Sequence, residues 1–226
     1  MNFESINNRD ENMIFQDRRE AGIKLAQALG KFHGQDVIIL ALPRGGVVLG
    51  AEIAKQLHAP LDLVLTKKIG HPLNPEYAIC AMAEGGEPIC NTLEVSMVDQ
   101  EWFQNEIKRT QAELARRRSE YLGDAAPREV KGKIAIIVDD GIATGYTMMA
   151  ALEELKRRGA KKVVVAIPVT PAYTAPHLEK MGAELISLKV DPYYLGAVGA
   201  YYLDFDQVSD SEVISLLKSV NAAKLP

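Results

Sequence analysis

One stretch limits the architecture more than any other: Ile134-Ala-Ile-Ile-Val-Asp-Asp-Gly-Ile-Ala-Thr-Gly-Tyr-Thr147. Its opening run, Ile134 to Val138, is short, β-branched and without helical spacing, which predicts a buried strand. Asp139 and Asp140 follow where that strand should end. Then comes a turn with Gly141 and Gly145 and two hydroxyls, Thr144 and Thr147. Met148 to Arg158 is helical in composition, and Gly159 stops it. A strand feeding a glycine turn that opens a helix aims free backbone N–H groups at one spot, which suits a phosphate.

The turn lacks the Gly-Lys-Ser/Thr of a nucleotide-triphosphate loop and the Gly-x-Gly of a dinucleotide fingerprint. Two carboxylates beside a phosphate cradle would repel a bare polyphosphate. They make sense if they accept hydrogen bonds from vicinal hydroxyls or hold a divalent cation. A ribose 5-phosphate satisfies both halves. Val138-Asp-Asp-Gly-Ile-Ala-Thr-Gly-Tyr-Thr147 resembles the phosphoribosyl-pyrophosphate (PRPP) motif of the type I phosphoribosyltransferases: an apolar strand, two acids, a short variable run, then Thr-Gly-x-Thr/Ser. By that resemblance Asp139, Asp140, Gly141, Ile142, Ala143, Thr144, Gly145, Tyr146 and Thr147 bind PRPP.

The strand–glycine loop–helix unit occurs a second time. Asp36 to Leu42 reads as a buried strand, Pro43-Arg-Gly-Gly46 as the loop, and Val48 to Leu57 as the helix. In the family the corresponding loop grips pyrophosphate, which assigns Arg44, Gly45 and Gly46 to it. Leu61 to Thr66 predicts a third strand with Lys67 and Lys68 at its end. Open parallel sheets carry ligand chemistry at the carboxyl ends of their strands, so both lysines are expected on the rim with Arg44 and Asp139. The resemblance implies that a basic residue there meets the pyrophosphate side of PRPP.

Ile69 to Tyr77 is rich in turn formers, where the family has a mobile loop that closes over the reaction. His71, Glu76 and Tyr77 fall in it; Lys67, Lys68 and Glu76 are the catalytic candidates. Ala78 to Asn91 predicts a β-hairpin around Gly85-Gly86. Thr92 to Tyr121 predicts one long charged helix with Val95, Val98, Trp102, Ile107 and Leu114 on its apolar positions, serving a hood or a homodimer contact. Gly123 to Lys133 is a linker. Towards the N-terminus, Asp17 caps a helix whose apolar stripe is Ala21, Leu25, Ala28 and Leu29; Arg18 and Arg19 either face a substrate or, as the preferred reading, form its solvated face.

Beyond the motif, Lys162 to Pro168 and Glu184 to Val190 predict strands separated by a short helix ending near Gly182, and Ser209 to Ala223 an amphipathic helix. Alternating strands and helices predict an α/β fold with a doubly wound, mainly parallel, Rossmann-like sheet. The expected layout is a single domain over 15–226. Its core spans about 30–70 and 130–190, a hairpin and helix insertion about 70–125. The hood comes from the N-terminal helix and 191–215. The tail loosely resembles the base-binding tail of 6-oxopurine phosphoribosyltransferases, which implicates Tyr193, Val198, Tyr201 and Phe205 in base binding. Its Asp204 falls where the family has an acid that reaches the metal. Metal contacts, through water or PRPP, are then expected at Asp139, Asp140 and Asp204, with Mg2+ as the ion.

The resemblance implies transfer of the phosphoribosyl group of PRPP to a nitrogenous base with release of pyrophosphate. Hypoxanthine and guanine enzymes of the family carry an Asp where this chain has Ala143, so the motif leans to adenine and uracil types while the tail leans to 6-oxopurines. The acceptor stays open, as does a PRPP- or nucleotide-sensing regulator with the same pocket. A pyrophosphokinase that makes PRPP is disfavoured by the single compact domain. With 226 residues and a net charge of −4, no broad basic surface for nucleic acid is implied. No apolar run approaches spanning length and the first ten residues lack a signal-peptide core, so a cytoplasmic location is expected. Cys80 and Cys90 flank a turn and are expected as reduced, partly buried thiols.

Overall fold

The computed structural model describes residues 15–142 and 145–222. The five strongest apolar runs become one all-parallel sheet in the order β2-β1-β6-β7-β8. These strands are β1 (Val37–Ala41), β2 (Leu61–Leu63), β6 (Ile134–Val138), β7 (Lys162–Pro171) and β8 (Glu184–Asp191). In β1 and β6 every residue is buried, as expected of strands covered on both faces. Side chains alternate between two cores. Ile39, Ala41, Ile136, Val138, Val164 and Ala166 pack with α1 (Arg18–Ala28), α2 (Gly45–Leu57) and α7 (Asp210–Ala222). Ile38, Leu40, Ala135, Ile137, Val163 and Val165 pack on the other side with α5 (Tyr146–Arg157) and α6 (Ala175–Lys180). The fold is therefore α/β and doubly wound.

A second sheet, β3-β4-β5, is antiparallel. It is formed by β3 (Thr66–His71), β4 (Asn74–Ala83) and β5 (Ile89–Cys90). Two expectations change here. The run Leu61 to Thr66 is not one strand: β2 ends at Leu63, and Leu65 already serves the other sheet by accepting from Glu84 N. Lys67 and Lys68 consequently lie inside β3, not at the carboxyl end of a parallel strand. The expected loop Ile69–Tyr77 is largely strand, with its turn between His71 and Asn74.

The long helix is two. The helix α3 (Thr92–Met97) is followed by α4 (Gln100–Leu122), because Asp99 accepts a hydrogen bond from Trp102 N at 2.7 Å and caps a new helix. Ala28 is exposed and Ala26 takes its place in the buried stripe of α1. The cysteines are also not free thiols. Cys80 and Cys90 sit opposite each other on β4 and β5 and form a disulfide. With only 10 residues separating them, loop-closure entropy puts its contribution at about 2–3 kcal/mol. Denaturant unfolding with and without reductant is expected to differ by that amount.

The hairpin and α4 are fastened to the parallel sheet by buried charge. Arg118 of α4 donates to Leu63 O at 3.1 Å, lies 3.6 Å from Asp62 and pairs with Glu84 beyond β4. Asp62, 3% exposed, also accepts from the amides of Leu63 and Arg128 at 2.7 and 2.8 Å. Among the described residues no helix is long and apolar enough to cross a membrane.

Candidate active site

The strand order reverses between β1 and β6: β1 leads outward through α2 to β2, and β6 leads the other way through α5 to β7. Such a switch point opens a crevice at the carboxyl ends of the strands. The two loops singled out in the sequence both leave from it, Pro43 to Gly46 after β1 and Asp139 to Gly145 after β6. The Pro43–Arg44 peptide is cis.

Glycine is needed where these loops touch. A Cβ on Gly46 would lie 2.5 Å from Val138 O and 2.9 Å from Asp139 Cα; one on Gly45 would lie 1.9 Å from Asp140 Oδ2. The first clash is with backbone, which cannot swing aside. Gly46→Ala is expected to cost about 1–3 kcal/mol, as overpacked sites do, and to lower the melting temperature. Gly145 precedes α5 with φ +83°, so the first amides of that helix are aimed from a left-handed turn. Tyr146 and Thr147 occupy its first turn, while Ile142 is buried and bonds to Val169 O. Ala143 and Thr144 lie outside the described residues.

The two acids have different surroundings. Asp139 Oδ1 accepts from Asp140 N at 2.8 Å, and no cation pairs with Asp139 among the described residues. Burial raises its carboxyl well above the ordinary range, and the neighbouring Asp140 charge raises it further. Asp140 instead meets Arg18, whose Nε lies 2.8 Å from Asp140 Oδ2. The Arg18 guanidinium lies 3.7 Å above the centre of the Phe205 ring and donates to Asp206 O at 2.7 Å. Arg18 is thus a site residue, not part of a solvated face. The signal was present: Arg18 lies three and seven residues before Ala21 and Leu25, on the same helical stripe, whereas Arg19 is 70% exposed.

The hood is a clasp between the two ends of the described chain. Phe15 N donates to Tyr201 O at 2.8 Å, and Leu203 N and Asp204 N return bonds to Phe15 O and Gln16 O. Tyr202 donates to Asp140 O at 2.6 Å; burial and the Asp140 charge raise its hydroxyl pKa, which keeps it a donor. Of the expected base-binding residues, Val198 packs against the motif loop: a Cβ on Gly141 would come within 2.6 Å of it. Tyr201 is a buried structural residue, 1% exposed, its hydroxyl tied to Asp191 Oδ2 at 2.7 Å and pushed up to about 12 by burial and that carboxylate. One face of Phe205 is covered by Arg18, and its ring leans on Tyr202. Tyr193 is 86% exposed. Tyr194, outside the expected base-binding set, stacks on Tyr201 and holds a buried hydroxyl with no hydrogen-bond partner among the described residues.

The remaining candidates are scattered. Lys67 pairs with Glu113 of α4 and holds that carboxyl below its ordinary range; Lys68 and Glu76 are exposed on the hairpin. Arg44 lies 4.0 Å from Asp210 and lines a cavity of about 680 Å3 with Glu113, Arg117 and Tyr121. Asp204 is exposed and lines a different cavity, of about 420 Å3, with Arg18 and Glu52. No group of three or more His, Cys, Asp or Glu side chains is placed to hold a metal ion directly among the described residues.

Comparison with known proteins places this geometry. The family model for the phosphoribosyl transferase domain matches residues 14–192. The chain belongs to that family. The match stops before Tyr193, so it covers both switch-point loops and the acid pair but not the hood tail. A Thermus thermophilus protein, TT1426, known from a crystal structure, is 40% identical; the likeness covers 92% of this chain and 99% of that one, with a TM-score of 0.78. A Mycobacterium tuberculosis protein, named provisionally as a phosphoribosyl transferase, is 38% identical over 206 residues and 90% of this chain. The chain spans about half, 46%, of the length of that curated relative. A ribose-phosphate pyrophosphokinase of Pyrococcus furiosus is 58% identical over 38 residues, 17% of this chain and 14% of its own.

Proposed function

We propose that the protein transfers the 5-phosphoribosyl group of PRPP to a nitrogenous base and releases pyrophosphate. The observation that carries this reading is the meeting, at the switch point of the sheet, of an acid pair, a glycine-opened helix terminus and the Arg44 loop. The 5-phosphate takes the amides of Gly145 to Thr147 at the start of α5. A ribose hydroxyl donates to Asp139. Pyrophosphate takes Arg44 and the amides of Gly45 and Gly46.

Breaking the C1–O bond leaves a cationic, oxocarbenium-like ribose and an anionic leaving group, which a base nitrogen then replaces. The protein's work is positioning and charge neutralisation, with the hood excluding water. Mg2+ fits this donor set only as an ion held largely by water and substrate oxygens, with Asp139 as the protein's ligand. Bound there, it would neutralise charge on the departing pyrophosphate.

The test is pyrophosphate release from PRPP and Mg2+ with a panel of purine and pyrimidine acceptors. Turnover with one acceptor supports the reading. Tight PRPP or nucleotide binding with no turnover would replace it with a sensing role, and ATP-dependent consumption of ribose 5-phosphate with pyrophosphokinase chemistry.

A further inference from the structure

The two neighbouring carboxylates are not equivalent, and the difference is built by one arginine. Asp140 Oδ2 receives Arg18 Nε at 2.8 Å, and the position of a Cβ on Gly45 would fall 1.9 Å from the same oxygen. This carboxylate therefore lies flat against the Arg44 loop with a cation on it. The guanidinium continues to Asp206 O at 2.7 Å and stacks on Phe205 at 3.7 Å, with only 12% of the side chain exposed. Tyr202 adds a bond to the main chain of the same residue, Asp140 O at 2.6 Å. Asp139 makes no ion pair and no hydrogen bond to the hood among the described residues; it spends one oxygen on Asp140 N.

We propose that Arg18 is a positioning residue that sorts the acid pair: it commits Asp140 to the hood and leaves Asp139 as the carboxylate that takes the sugar. This inference rests on the sugar-phosphate reading above. Without Arg18, Asp140 becomes an uncompensated negative charge beside the loop that holds phosphate oxygens, and the hood loses its tie to the motif. A planar guanidinium performs three tasks at once here: it pairs with the carboxylate, donates to the carbonyl and lies on the ring. An ammonium can pair with Asp140 but cannot also lie flat on Phe205 while donating to Asp206 O.

The experiment is titration calorimetry of the full chain with ribose 5-phosphate, paired with melting temperatures, for wild type, Arg18→Gln, Arg18→Lys, Asp139→Asn and Asp140→Asn. Arg18→Gln is expected to weaken binding about tenfold, the scale of one charge-assisted hydrogen bond. Arg18→Lys is expected to recover less than half of that loss. Asp139→Asn is expected to lose more affinity than Asp140→Asn, and Arg18→Gln is expected to add little in the Asp140→Asn background. An arginine that only braces the fold would lower the melting temperature and leave affinity within twofold of wild type; that result overturns the inference. So does an Asp140→Asn loss equal to or larger than that of Asp139→Asn. If the wild type itself binds no ribose 5-phosphate, the sugar-phosphate reading falls first and this inference with it.

Discussion

Asp139→Asn is expected to lose roughly 10- to 150-fold in affinity for PRPP while making the unliganded protein more stable at neutral pH. The first half follows from replacing a charged acceptor by a neutral one, since such hydrogen bonds are worth about 1.5–3 kcal/mol. The second follows from the direction in which the carboxyl is perturbed. Burial, then the charge of Asp140, raises its pKa in the folded state. A carboxyl raised on folding contributes stability that is complete below the usual carboxylate range, about pH 4, and is lost as pH rises through the folded value. At neutral pH the perturbed carboxyl is therefore a cost, which the isosteric amide removes. Asn keeps an oxygen for Asp140 N, so the turn is preserved. Melting curves of wild type and Asp139→Asn should diverge at neutral pH and converge on acidification. A variant less stable than wild type at pH 7, or one with unchanged PRPP affinity, would sink the account. A stability gain matched by a functional loss is the usual mark of a residue kept for its chemistry.

The second large effect is purely structural. Arg118→Leu should destabilise the protein by about 3–5 kcal/mol, because it strands a carboxylate that is nearly inaccessible to water. Asp62 would keep the two amide donors and lose its cation. For a domain of this size the melting temperature should fall by roughly 6–20 °C. Adding Asp62→Leu should return part of the loss, since a buried pair replaced by apolar side chains is often tolerated where half a pair is not. If the double variant is no better than Arg118→Leu alone, the unpaired carboxylate is not the source of the cost. The same substitution should loosen the antiparallel sheet from the parallel one, because Arg118 also reaches Glu84 and Leu63 O.

The centre of the parallel sheet was legible in the sequence because β1 and β6 are unbroken apolar runs, a pattern that burial on both faces demands, whereas β2 and β8 carry Asp62 and Ser187 and Lys189. The motif loops were legible for a related reason. Glycine at 45, 46 and 141 and acids at 139 and 140 leave few other uses for those positions. What failed to show was any switch of partner inside a continuous pattern. Leu61 to Thr66 is one strand-like run, broken only by Asp62, yet Leu63 pairs with β1 and Leu65 O receives Glu84 N. Periodicity measures burial and is blind to which sheet supplies it. The helix break at Asp99 was hidden likewise, since one side-chain cap at 2.7 Å outweighs helical composition on both sides.

Arg18 was misjudged for a different reason. Charged residues usually face water, and its true partners, Asp140 and Phe205, lie 122 and 187 positions away along the chain. The cysteines were judged by compartment and count, whereas their directly opposed places on β4 and β5 decide the outcome. The hood tail was read by resemblance to a base-binding tail. Which ring faces inward is set by hydrogen bonds such as Tyr201 to Asp191, which composition cannot rank.

The clasp between Phe15 and residues 201–204 has an implication for how the molecule is made. A ribosome delivers the acid pair well before it delivers the tail that covers it. The sheet can close as soon as β8 emerges, but the emerging polypeptide then carries Arg18 and Asp140 without Tyr202 and Phe205 above them. The acid pair should therefore be covered in a single late step of synthesis, when about two hundred residues have cleared the exit tunnel, and stalled chains released short of Phe205 would also lack α7, whose Val213, Leu217 and Val220 cover the same face of the sheet.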